Sequence, residues 1–154
     1  MPSAGGVVQG LHILLAEDDD NDVRITRRAI SKAGLAAELS VVRDGQEAIS
    51  FLFRHPPYED APRPDLVLLD MSLPKVDGME VLSTIKQNST LSSLPVVMLT
   101  TSTRQEDAQT AYTLGGNTFI AKPIRFARFV EVIREIGIFW GQIADRPHMD
   151  GESP

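Results

Sequence analysis

The sequence predicts a single α/β domain in which a parallel five-stranded sheet is wound on both faces by helices. Three observations predict it. Short aliphatic runs of strand length alternate with stretches of helical periodicity. The run Leu66-Val67-Leu68-Leu69 lies between Asp65 and Asp70 and is apolar at every position, as a strand buried on both faces requires. The connections are short enough for right-handed crossovers between parallel strands.

The elements follow in order. Residues 1–10 (MPSAGGVVQG) are small and Gly-rich and read as a loose leader. Leu11–Ala16 is a buried strand. A helix from about Asn21 to Ala33 places Val23, Thr26, Ile30 and Ala33 on one face, and Gly34 stops it. Glu38–Val42 is the second strand. Asp44-x-x-Glu47 is a capping signature that opens a helix through Phe53. Residues 54–64 (RHPPYEDAPRP) carry four prolines and form a loop before the Asp65–Asp70 strand.

Asp77-x-x-Glu80 opens a helix containing Met79, Val81, Leu82 and Ile85. A Ser/Thr-rich connector (88–93) leads to the strand Pro95–Thr100. Thr103-x-x-Glu106 caps a helix that runs to Leu114 and ends at Gly115-Gly116. Asn117–Ala121 is the fifth strand, Lys122-Pro123 a turn, and the last helix runs from about Phe126 to Ala144. The domain is therefore expected to span residues 11–144, with flexible tails at 1–10 and 145–154.

Composition narrows the function. The chain has 154 residues, 42% hydrophobic and 23% charged, within the range of globular proteins. A net charge of −6 disfavours a nucleic-acid surface, which needs clustered Lys and Arg. No apolar run approaches the roughly 18 residues of a membrane span. Without cysteine there is no disulfide, thiolate metal site or cysteine nucleophile. A cytoplasmic protein is expected.

Most of the 21 acidic residues have ordinary explanations. Asp44 and Asp77 are helix caps. Asp20 and Asp22 favour the positive end of a helix dipole. Asp18, Asp20 and Asp22 imitate the start of a calcium loop, but Val23 occupies its glycine position and Ala29 its twelfth. Glu17, Asp18 and Asp70 remain, all at carboxyl ends of strands, where open α/β sheets bind ligands. If strands one and three are neighbours, the three acids converge. Crowded like charges call for a hard cation, and Mg²⁺ suits such a set.

Five short motifs at strand ends now stand in order: Glu17-Asp18, Asp70 with Pro74, Asp77-Gly78, Thr100, and Lys122-Pro123. Together they resemble the receiver domain of bacterial two-component response regulators, over about residues 11–140. The resemblance implies a flavodoxin-like (βα)5 fold with strand order 2-1-3-4-5. It also implies that Asp70 takes a phosphoryl group from a phosphohistidine and becomes an acyl phosphate. Mg²⁺ would be held by Asp18, Asp70 and the backbone carbonyl of Ser72, with Glu17 acting through water. Lys122 would pair with the phosphoryl oxygens, before a cis peptide at Pro123, and Thr100 would donate its hydroxyl to them. Phe119 matches an aromatic that turns inward as the threonine moves, and Ser72 and Ser102 occupy positions that modulate hydrolysis.

The loop 54–64, Asp60–Asp65 and Phe139-Trp140 are similar to single-domain regulators that partner phytochrome-type histidine kinases. With no further domain expected after the last helix, the output would be a surface and not DNA binding. Two other classes compete. A phosphohydrolase with an aspartyl nucleophile would want an acid where Ser72 stands. A pseudo-receiver would not need intact Asp18, Asp70, Thr100 and Lys122.

The last helix carries one more expectation. Phe126, Phe129, Val130, Ile133, Ile136, Trp140 and Ile143 form a stripe, and Val132 and Phe139 widen it beyond what one sheet face buries. A homodimer through the helix 4–strand 5–helix 5 surface of receivers would cover the excess.

Overall fold

A computed structural model describes residues 10–101, 111–114, 117–122 and 125–142. Its elements are β1 (Leu11–Ala16), α1 (Asp20–Lys32), β2 (Ala37–Val42), α2 (Gly45–Phe53), β3 (Leu66–Asp70) and α3 (Gly78–Gln87). They continue with β4 (Val96–Thr101), β5 (Ala111–Leu114), β6 (Asn117–Lys122) and α4 (Phe126–Gln142). The sheet runs β2-β1-β3-β4-β6-β5. Its first five strands are parallel, so the expected 2-1-3-4-5 order is borne out with β6 as the fifth parallel strand.

Alternation along the strands feeds two separate cores. Leu66 and Leu68 of β3 pack with Ile13, Val97, Ile120, Ile30, Phe129 and Ile133 beneath α1 and α4. Val67 and Leu69 pack with Leu14, Met98, Phe51, Val81 and Ile85 beneath α2 and α3. All five residues of β3 are buried, which explains why its sequence has no polar interior position.

The caps form as their sequences require. Asp44 accepts from Glu47 N–H at 2.8 Å, and Glu47 Oε1 accepts from Arg43 N–H at 2.8 Å. Asp77 accepts from Glu80 N–H at 3.0 Å. The first helix begins one residue earlier than expected because Asp19, in extended conformation, caps it by accepting from Asp22 N–H at 3.0 Å. Gly34 ends that helix region with φ +79.

Two expectations are corrected. The helix expected over 103–114 is a strand at its far end: Ala111–Leu114 pairs antiparallel with β6, Tyr112 opposite Phe119. Tyr and Thr favour strands. Gly115-Gly116 suits a two-residue hairpin link as well as it suits a helix stop. Residues 102–110 lie outside the described residues. Within α3, Val81, Leu82 and Ile85 are buried and Met79 is 46% exposed. Val132 is buried within its own chain, because α4 packs against α1 as well as the sheet. Arg134 fastens that contact by donating to the α1-end carbonyls of Ala33 (3.2 Å) and Lys32 (3.3 Å). The expected tails 1–9 and 145–154, the helix end at Ile143 and Ala144, and the side chains of Phe139 and Trp140 lie outside the described residues.

Candidate functional site

The site forms at the carboxyl edge of the sheet, where β1 and β3 lie side by side. Beyond Ala16 the chain stays tied to the sheet, since Glu17 N–H donates to Val42 O at 2.9 Å. The Glu17 carboxylate is buried and accepts from Asp19 N–H at 3.2 Å. Asp18, the next residue, is exposed. Across from them β3 ends at Asp70, whose carboxyl group is buried. Its Oδ1 accepts from Ser72 N–H at 3.1 Å, while Met71 N–H donates to Leu99 O at 2.9 Å.

One carboxylate oxygen from each of Glu17, Asp18 and Asp70 lies within 4.8 Å of the other two. Three formal negative charges at that spacing repel one another and disfavour a shared site unless a cation enters. The donors are hard oxygens from two buried groups and one exposed group, which fits a divalent cation that keeps some of its water. The donor chemistry thus matches the metal expectation.

Gly78 makes the β3 end possible. A side chain there would put Cβ 2.6 Å from Met71 Cα, because α3 starts against the backbone leaving the strand. Gly78 N–H donates to Met71 O at 2.9 Å across that close approach. The Asp77-Gly78 pair was legible as a cap; the steric demand on the glycine needed coordinates.

The remaining site candidates reach the same edge by register. Asp70 pairs with Leu99, and Thr100 follows one residue further on β4, half-buried. Thr100 pairs with Ala121 and Thr101 with Lys122, so β6 brings the lysine's backbone to this end of the sheet. The side chain of Lys122, the Lys122–Pro123 turn and Ser102 lie outside the described residues. Phe119 sits lower on β6, 7% exposed, among the apolar side chains under α2 and α3. Ser72 is exposed.

A family model described as the response regulator receiver domain matches residues 13–134. The chain belongs to this family. This receiver is 39% identical to response regulator Rcp1 of Synechocystis sp. over 135 residues, covering 88% of this chain and 92% of that one. The crystal structure of the Mn²⁺-bound form of Rcp1 aligns with a TM-score of 0.72 at 38% identity, over 90% of this receiver and 99% of that chain. The phosphorylated cyanobacterial phytochrome response regulator RcpA aligns with a TM-score of 0.73 at 37% identity, over 90% and 99%. The bacteriophytochrome response regulator AtBRR aligns with a TM-score of 0.68 at 43% identity, over 84% and 94%. The receiver is accordingly a phosphorelay signalling protein similar to phytochrome-associated single-domain regulators, with the family's acidic pocket for a divalent metal.

Proposed function

We propose that this receiver accepts a phosphoryl group on Asp70 from a phosphohistidine of a sensor histidine kinase, with Mg²⁺ as the metal. The observation that carries this reading is the buried Asp70 carboxylate held within reach of Glu17 and Asp18 at the sheet edge. Asp18, Asp70 and the Ser72 carbonyl would hold the ion, with Glu17 acting through water. The bound cation supplies charge neutralisation for the phosphoryl oxygens.

The chain's own residues do the rest. An Asp70 oxygen attacks phosphorus as the P–N bond to the histidine breaks, and the electron pair stays on the imidazole. Ser72 N–H, already on Asp70 Oδ1 at 3.1 Å, orients the carboxylate. Lys122 contributes a fixed positive charge and Thr100 a hydroxyl donor to the phosphoryl group. Phe119 belongs to the switch that follows when Thr100 moves. Water later cleaves the acyl phosphate. The protein is thus a phospho-acceptor switch without turnover of an external substrate.

Similarity to the phytochrome response regulator RcpA and the bacteriophytochrome response regulator AtBRR supports a phytochrome-type kinase as partner, and a cytoplasmic setting belongs to the same reading. No helix among the described residues is long and apolar enough to cross a membrane. A homodimer through the family's helix 4–strand 5–helix 5 surface, of which β6 and α4 are the strand 5 and helix 5 parts, completes the reading. With Val132 buried, the expectation rests on Phe139, which the sequence places beside the apolar stripe of α4.

Incubation with a small phosphodonor and Mg²⁺ should attach one phosphoryl group that hydroxylamine removes. Asp70→Asn should take up none. A label that persists on this variant contradicts the assignment.

A further inference from the structure

The turn between β2 and α2 touches both segments that carry the acids, yet none of its side chains belongs to the acidic cluster. Towards the first segment, Val42 O accepts from Glu17 N–H, and the Arg43 guanidinium pairs with the Asp20 carboxylate. Towards the second, Gly45 N–H donates to Pro74 O at 3.1 Å, and Lys75 Nζ lies 3.6 Å from Asp44 Oδ2. The turn is itself held by the two reciprocal bonds with Glu47.

Two further features show how closely the parts are seated. A Cβ on Gly45 would fall 2.6 Å from the Val76 carbonyl carbon and 2.8 Å from Val76 Cβ, so only glycine fits. Lys75 adopts φ +71, a left-handed conformation that a non-glycine residue takes at a cost and that the docked loop maintains. The turn is wedged between the 17–20 segment and the 71–77 segment.

The geometry points to Arg43, Asp44 and Gly45 as positioning residues that set the separation of Asp18 and Asp70 and thereby the affinity for the divalent cation. The inference rests on the metal reading given above. Contacts that orient ligands without touching the metal commonly change metal affinity by about 10–100-fold when lost. Gly45→Ala must push the 74–76 backbone away, so its Mg²⁺ dissociation constant should rise about tenfold.

The test is calorimetric titration of Mg²⁺ into wild type and Gly45→Ala, each shown folded by circular dichroism in chelator. A tenfold loss in a folded variant supports positioning. Affinity within twofold of wild type, whatever the change in melting temperature, overturns it, because a purely structural role would lower stability alone. If Gly45→Ala does not fold, Arg43→Gln with Lys75→Gln decides, since it removes two ionic ties whose cationic ends are exposed and leaves the buried Asp44 cap to Glu47 N–H in place. That double variant should bind about threefold more weakly at low salt, on the scale of exposed ion pairs. Arg43→Lys with Lys75→Arg should restore binding, and an unaltered affinity in the Gln double variant overturns the proposal. Phosphoryl uptake on wild-type Asp70 is measured on the same samples. Intact Mg²⁺ binding without uptake sinks the phospho-acceptor reading and leaves the positioning role standing. Wild type that binds no Mg²⁺ overturns the positioning role.

Discussion

Removing the Asp18 carboxylate should make the metal-free protein more stable, an unusual outcome for deleting a charged side chain at a functional site. Its oxygen lies within 4.8 Å of oxygens on both Glu17 and Asp70. At that distance each like-charge pair costs about 0.9 kcal/mol in a water-like dielectric and about 3.5 kcal/mol at an effective constant near 20. Asp18 is exposed, so the lower figure applies, and two pairs give about 2 kcal/mol at low ionic strength. For a domain of this size that corresponds to a rise in Tm of about 4–8 °C. The assay is thermal and urea unfolding of wild type and Asp18→Ala in chelator, then in excess Mg²⁺. In chelator the variant should melt higher. In Mg²⁺ the order should reverse or close up, because binding stabilises only the protein that keeps its ligands. Added salt should shrink the gap in chelator. If Asp18→Ala is the less stable protein without metal, the acids are not mutually strained and Asp18 has a structural role.

Further outcomes follow from the packing. Gly78→Ala should cost about 1–3 kcal/mol, read as a lower urea midpoint, and should slow phosphoryl uptake because the displaced backbone carries Asp70 and Met71. Asp77→Ala should cost about 1 kcal/mol through the lost cap to Glu80 N–H, with uptake unchanged once the protein is folded. Val132→Ala should destabilise the protomer by about 1–3 kcal/mol, since its side chain is in the core, whereas Phe139→Glu should leave a folded monomer that still accepts phosphate; sedimentation of wild type as a monomer at tens of micromolar (~10 μM and above) would remove the dimer.

Much of the architecture could be read from local chemistry. The fully apolar β3 run, the Asp44 and Asp77 caps and the Val23–Thr26–Ile30 face each have one physical solution, and the fold adopts it. Ala111–Leu114 was harder because Tyr112, Thr113 and a trailing Gly-Gly satisfy a helix end or a hairpin equally, and pairing to β6 is a long-range preference. Val132 misled because helical periodicity shows which residues share a face and leaves out how many neighbours that face has; α1 was the second. At the site, Glu17, Asp18 and Asp70 were identifiable as acids at strand ends, and their convergence depended on β1 lying next to β3. The turn at Arg43–Gly45 left no sequence signal beyond a cap, because its importance lies in backbone approaches that Gly45 alone permits.

The central claim is that Asp70 itself carries the phosphoryl group, and trapping the acyl phosphate tests it most directly. Borohydride reduction of the freshly phosphorylated protein converts an aspartyl phosphate to homoserine, which peptide mass mapping locates. Homoserine at position 70 alone, dependent on Mg²⁺ and absent from unphosphorylated protein, is the predicted result. Homoserine at another aspartate, or a stable phosphate on a serine or threonine with position 70 unmodified, would contradict the account.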